Sequence, residues 1–258
     1  MKVLNAMDKF LWSRQGLEAR IHESDILSQD RMFVLHIVGL AVTLQMTVLM
    51  LMSYIERFVL FLTQWSAAIT CLYFCSVVIY CLLHKHNCRP SWLWKLTHVL
   101  FEFAFTLGVV VTVVFWAVII PVLASMSNIE DFIRRKLTWF DYMLNIEIHG
   151  VNYLFVFTEF CFNRIEFVWT HYILVLLFGL AYMMLLVTHT LYTHTPVYPL
   201  ITFDNWISLV FVLLALLSAT LSFALGVCLS QRKKKRYVPA CFSSASLLTS
   251  SPPPVSYS

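Results

Sequence analysis

The chain has 258 residues, of which 60% are apolar and only 12% are charged, and its formal net charge is +4. A water-soluble domain of this length cannot bury so much apolar surface, so the composition excludes a soluble globular protein. The apolar residues form long unbroken runs rather than the alternating segments of a membrane β-barrel. The sequence therefore predicts an all-α integral membrane protein.

Residues 1–31 form a polar segment that carries both acidic and basic side chains. The first long apolar run begins at Met32, which is too late for a cleavable secretory signal. We expect this segment to be cytoplasmic.

Five windows contain no Asp, Glu, Lys or Arg, and each exceeds the roughly 20 residues needed to cross a bilayer. They predict helices at about 32–55, 58–83, 96–121, 169–194 and 206–230. The helix at 169–194 is expected to end near His194, because Pro196 and Pro199 cannot continue it.

A further crossing is predicted at 142–162, although this segment contains several polar residues. With six helices, 14 Lys and Arg side chains lie on the side of the two termini and 4 on the other side. Because basic residues favour the cytoplasmic side, the count predicts a six-helix bundle over 32–231 with both termini in the cytoplasm.

Residues 232–258 begin with a basic run and continue as a Ser- and Pro-rich tail. We expect the run to lie near anionic lipid headgroups, and the tail to be disordered and able to bind a protein partner. The seven cysteines show no paired spacing, so we expect neither disulfides nor a zinc framework, although juxtamembrane thiols could be palmitoylated. His84, His86 and Cys88 lack a fourth ligand, so no metal or other cofactor is predicted, and no nucleic-acid module is present.

The predicted crossing at 142–162 carries a polar stripe. At about 100° per residue, Asn145, Asn152 and Glu159 fall within about 80° of His149 on one side of the helix, whereas Glu147 falls on the other face. Such a stripe either bonds to neighbouring helices or lines a polar site for a lipid headgroup, an ester or an ion.

Other polar residues in the apolar windows have simpler interpretations. His98 and Glu102 have the spacing of a local pair on one helix, and His171 is an isolated histidine that we expect to serve packing. Thr63 would be a nucleophile only if a base lay within reach.

Three blocks of sequence together resemble the Rolling stone family of multi-pass membrane proteins, and more distantly the androgen-induced-gene (FAR-17a-like) membrane hydrolases. They are FLTQW at 61–65, HGVNYLFVFTEFCFNRI at 149–165, and FGLAY at 178–182 with VYP at 197–199. The resemblance covers most of the chain between Thr63 and Pro199.

The two families imply different activities. Rolling stone proteins are associated with muscle-cell fusion, which implies a surface or endomembrane protein without a defined chemistry. The hydrolases use an intramembrane threonine and a histidine to cleave fatty acid esters of hydroxy fatty acids, and Thr63 matches their threonine. Asn152 stands where those relatives have the histidine, and an amide cannot act as a base. His149 would have to replace it from one turn away, a shift of about 5 Å.

We therefore predict a non-catalytic protein of the plasma membrane or an endomembrane that acts in adhesion or fusion, or binds lipid. Its interior polar pocket is expected to be bordered by Thr63, Asn145, His149, Asn152 and Glu159. The alternative is a lipid ester hydrolase with Thr63 as nucleophile, His149 as base and a fatty acid ester as ligand. A transporter is a third class, which the lack of an inverted repeat disfavours.

Overall fold

The computed structural model describes residues 2–12, 21, 23–24, 26–55, 58–88, 90–121, 146–198 and 201–237. The main helices in these ranges are α1 (Lys2–Leu11), α2 (Gln29–Tyr54), α3 (Leu62–Lys85), α4 (Ser91–Val114), α5 (Asn152–Phe162), α6 (Tyr172–Thr193) and α7 (Trp206–Tyr237). Two π-helical turns, Phe115–Ile119 and Glu147–Val151, follow α4 and precede α5, and a 3-10 turn at Trp169–His171 leads into α6. The described ranges contain one isolated antiparallel bridge, between Ser24 and Asn163, and no strand.

Five of the described helices are long and apolar enough to cross a membrane, which confirms the prediction of an all-α membrane protein. These spans are Gln29–Ser53, Leu62–Lys85, Ser91–Ala117, Trp169–Thr193 and Trp206–Lys234. Only 146–162 of the predicted crossing at 142–162 is described, and Asn145 lies outside the described residues.

Several helix ends follow from local hydrogen bonding. The Ser28 side chain accepts a hydrogen bond from the Arg31 N–H, so α2 begins three residues before the predicted start. Helix α3 begins at Leu62 rather than 58, and the Tyr198 hydroxyl accepts the otherwise unpaired Leu62 N–H at 3.0 Å. Helix α6 ends before His194, as predicted, and His194 has a φ of 55°.

Other bounds differ from the prediction. The N-terminal segment contains the helix α1, and α4 begins at Ser91, directly after Pro90, instead of at 96. Helix α7 continues to Tyr237, so the basic run predicted as a separate anchor extends the last helix. The predicted disordered tail at 238–258 lies outside the described residues.

The core of the bundle is formed around α3 and α4. In their most apolar windows 56% and 50% of the residues are buried, compared with 17% in α6 and 22% in α7. The fully buried centre is aromatic and includes Phe101, Phe105, Phe160, Phe167 and Phe223. The apolar side chains of α6 and α7 that face outward are therefore left for lipid.

Two groups of contacts define the two ends of the bundle. At the first, here called the lysine end, Arg164 pairs with Glu23, and Lys234 pairs with Glu166. At the second, the tyrosine end, the Tyr182 hydroxyl donates to the Leu60 carbonyl and lies 3.0 Å from the Tyr198 hydroxyl. Through Arg164 and Glu166 at the lysine end, the connection between α5 and α6 contacts both the N-terminal segment and the end of α7.

Candidate functional site

Glu159 is the centre of the polar stripe on α5, and its carboxylate binds side chains of two other helices. The carboxylate is fully buried, and its Oε1 lies 3.0 Å from His36 Nε2 of α2 and 2.9 Å from the Tyr73 hydroxyl of α3. Asn163, directly after α5, adds a long contact of 3.5 Å from Nδ2 to the same oxygen. The cluster therefore joins three helices through one carboxylate.

The end of α5 next to this cluster is stabilised by a cation. Lys233 of α7 donates to the carbonyls of Phe160 and Asn163, and its ammonium lies 4.0 Å from the centre of the Phe160 ring. The unpaired carbonyls at a helix C-terminus carry partial negative charge, which a lysine neutralises. Glu159 is thus held at the lysine end of the bundle.

His36 also contacts a thiol on its other side. Cys81 Sγ lies 3.9 Å from His36 Nδ1, so the imidazole stands between a thiol and a carboxylate. The bonds of Glu159 to His36 and Tyr73, at 3.0 and 2.9 Å, are the shorter contacts of the cluster.

His149 of the stripe faces the π-helical turn that follows α4. The His149 ring stacks on the Phe115 ring with centroids 3.6 Å apart, and Trp116 Nε1 donates to the His149 carbonyl. Asn152 is buried, and its Oδ1 accepts no hydrogen bond from the described residues. The predicted inward stripe is therefore buried at each described position, while Leu154 on the opposite face is 59% exposed.

Thr63 lies at the tyrosine end, in the first turn of α3. The hydroxyl of Tyr198 accepts from the neighbouring Leu62 N–H, and the Trp65 ring meets the Phe178 ring edge-on. Burial raises the pKa of Tyr198, so its phenol stays neutral and can both donate and accept. Residues of two sequence blocks named above, 61–65 and 178–182 with 197–199, therefore meet here through Phe178 and Tyr198.

The π-helical turn that contains His149 also lies near the start of α3, but Ile148 rather than His149 packs there. Ile148 packs in an apolar cluster with Ala67, Met46 and Met50, whereas the His149 ring lies on Phe115. Thr63 and His149 are both described, and no hydrogen bond joins them. The proposed nucleophile and base are brought to neighbouring elements but are not paired.

The predicted pocket bordered by Thr63 and Glu159 stays a prediction. Glu159 binds Tyr73, which lies ten residues after Thr63 on α3, a rise of about 15 Å along a straight helix. His149 also lies ten residues from Glu159 in the chain. The described residues show no hydrogen bond between Thr63 and the Glu159 cluster.

Two partners of Glu159 were missed in the sequence. His36 lies in a window that was defined by the absence of Asp, Glu, Lys and Arg, and a histidine does not interrupt such a window. Tyr73 appears only as one more aromatic residue in an apolar run. The signal that could have found His36 is its position as an ionisable residue at bilayer depth.

No protein-family model, no curated protein and no solved structure matches this chain.

Proposed function

We propose that the chain is a non-catalytic membrane protein, similar to the Rolling stone family, that crosses the bilayer six times and acts in cell adhesion or fusion, or in lipid binding. We infer that both termini lie in the cytoplasm. The observation that carries the non-catalytic part is the position of the His149 ring, which stacks on Phe115 and forms no hydrogen bond with Thr63.

The six crossings are supported by contacts at the lysine end. The α5–α6 connection contributes Arg164 to Glu23 of the N-terminal segment, and Phe167 donates its N–H to Ser230 near the end of α7. These contacts support our proposal that the two terminal regions lie on the same side of the membrane, as an even number of crossings requires. The distribution of 14 and 4 basic residues supports the cytoplasmic assignment.

The topology can be tested by placing single reactive cysteines at Asn128 and Arg164 in a chain whose own cysteines are replaced. Intact cells are treated with a membrane-impermeant maleimide, and permeabilised cells serve as the control. We expect the thiol at 128 to react in intact cells and the thiol at 164 to react only after permeabilisation. Reaction of both positions in intact cells would rule out a crossing between them.

The lack of catalysis is supported by the surroundings of the two candidate catalytic groups. The His149 ring lies against Phe115, and a nucleophile needs its base within hydrogen-bonding distance. The alternative, an ester hydrolase with Thr63 as nucleophile, is favoured by one observation only: Ile148, next to His149, lies in the same apolar cluster as Ala67 in the second turn of α3. Formation of the Thr63–His149 pair would require a rearrangement there.

A fluorophosphonate probe separates the two functions. We expect the purified full chain in detergent micelles to remain unlabelled, while a known serine hydrolase in the same micelles is labelled. Thr63→Ala is the diagnostic variant, and Thr70→Ala on the same helix is its control, because the Thr70 hydroxyl bonds back to the Ser66 carbonyl. Labelling that disappears in Thr63→Ala but persists in Thr70→Ala would establish the hydrolase.

The adhesion and lipid-binding roles require different measurements. Two cell populations with different dyes, one or both expressing the chain, can be mixed and scored for joined or fused cells. Lipids that remain with the purified protein can be identified by mass spectrometry. If neither mixed clusters nor a retained lipid is found, both roles are wrong.

A further inference from the structure

Three buried side chains outside the Glu159 cluster converge near the start of α6. His98 and Glu102 lie one turn apart on α4, and His171 comes from the 3-10 turn that precedes α6. Each is 0% or 1% exposed, and one ligating atom from each lies within 4.8 Å of the others. Two imidazoles and a carboxylate form a ligand set that is common in metal sites.

The hydrogen bonds of His171 leave a nitrogen lone pair directed at the carboxylate. Its Nε2 lies 3.1 Å from the Leu11 carbonyl, which can only accept, so Nε2 carries the proton. In the neutral ring Nδ1 is then unprotonated, yet it lies 2.6 Å from Glu102 Oε2. A proton shared by these two acceptors accounts for the contact, and a metal ion that coordinates Nδ1 and Glu102 would take the place of that proton.

His98 supplies an independent observation. It is buried, and neither ring nitrogen makes a hydrogen bond within the part of the chain that the structure describes. Its Nε2 lies 3.4 Å from Glu102 Oε1 without the geometry of a hydrogen bond. A buried polar group without a partner is unfavourable, so an ion that takes this lone pair would remove the penalty.

The spacing of the ligand atoms suits a small divalent ion. Zinc bonds of about 2.0–2.1 Å in a tetrahedral site place ligand atoms about 3.3 Å apart. The separations of 2.6 and 3.4 Å, within a set no wider than 4.8 Å, differ from this value by no more than about 1.5 Å. The three side chains would therefore have to move by about that much to coordinate one ion.

The surroundings of the cluster are ordered in the way that metal sites usually are. The Leu11 carbonyl orients His171, and the Val168 N–H donates to Glu102 Oε1 at 2.7 Å. The Trp12 ring lies 4.5 Å from the His171 ring and 5.5 Å from the His98 ring, measured between centroids, and so covers the cluster. Partners of this kind fix the ring orientation and the tautomer of ligating histidines.

We propose that His98, Glu102 and His171 bind one zinc ion, which fastens the start of α6 to α4 beneath Trp12. Three protein ligands leave one coordination position, which water fills. The site is distinct from the Glu159 cluster and from Thr63. It does not depend on the function proposed above.

The test uses the purified full chain after treatment with a chelator and reloading with zinc alone. We expect one zinc per chain by mass spectrometry after gel filtration, together with a higher melting temperature. Glu102→Gln and His171→Ala should weaken zinc binding by about tenfold or more, as loss of a ligand or of its supporting partner does. His189→Ala, near the opposite end of α6 from His171, is the control and should bind zinc like the wild type.

X-ray absorption on the zinc-loaded wild type keeps the proposal testable if a variant does not fold. The expected spectrum has only nitrogen and oxygen in the first shell, with the outer-shell scattering of two imidazoles. Sulfur among the atoms bound to zinc, or zinc binding that disappears in His84→Ala, would show that the ion binds at His84, His86 and Cys88 instead. Either result, or no retained zinc, overturns the proposal.

Discussion

Replacing Tyr73 with phenylalanine isolates one bond of the Glu159 cluster. The substitution deletes the hydroxyl that lies 2.9 Å from Glu159 Oε1, and both residues are fully buried. The ring itself is kept, so its contacts with Phe74 and Phe101 remain. Any loss of stability therefore reports the hydrogen bond.

The expected cost follows from the charge and the surroundings of the bond. Hydrogen bonds to charged groups contribute about 1.5–3 kcal/mol in soluble proteins, whereas bonds between membrane helices average about 0.6 kcal/mol and reach about 1.7 kcal/mol. Glu159 keeps its bond to His36, so the carboxylate is not left without a partner. We expect Tyr73→Phe to lower the free energy of unfolding by about 1–2 kcal/mol, roughly a tenfold shift of the equilibrium.

The measurement is unfolding of the purified chain in mixed micelles, followed by the fluorescence of its 8 tryptophans. Tyr153→Phe is the matched control, because the Tyr153 ring is half-buried and no described residue hydrogen-bonds to its hydroxyl. In the Glu159→Gln background the effect of Tyr73→Phe should shrink to less than half. Equal effects of the two tyrosine variants, or full additivity with Glu159→Gln, would refute the assigned bond.

Two further substitutions test the packing and the end of α5. In Gly39→Ala the new Cβ would lie 2.4 Å from Phe74 Cε1, so we expect the free energy of unfolding to fall by about 1–3 kcal/mol in the same assay. Gly179→Ala is the control and should be neutral or slightly stabilising, because no described atom lies within 4 Å of the new Cβ. Similar losses in both variants would contradict the close helix contact. Lys233→Met removes the hydrogen bonds to the Phe160 and Asn163 carbonyls and should lower the free energy of unfolding by about 1–2 kcal/mol. Arg232→Met is the control and should change it by less than about 0.5 kcal/mol. A neutral Lys233→Met would show that the lysine does not stabilise this end of α5.

The membrane helices could be predicted from the sequence because a bilayer imposes a minimum length and excludes charge. The end of α6 before His194 was also predictable, since two prolines follow it. The start of α3 was not, because the group that accepts the Leu62 N–H belongs to Tyr198, 136 residues away in the chain. The residues around Leu62 therefore could not indicate this partner.

The candidate sites, too, were predictable only in part. Periodicity correctly placed His149, Asn152 and Glu159 on a buried face. It could not show that Glu159 meets His36, nor that Glu102 meets His171, because these pairs are separated by 123 and 69 residues. Helix angles fix which side chains share a face, but the neighbouring helix that each face meets depends on the packing of the whole bundle.

The arrangement around Glu159 has a consequence for biogenesis. Helices α2 and α3 leave the ribosome long before α5, so His36 and Tyr73 are already present when the short segment with the carboxylate is made. A segment that carries an ionisable group enters lipid more readily when its partners are waiting there. In the six-crossing topology proposed above, integration of α5 is thus coupled to the helices translated before it, and the order of synthesis favours correct assembly.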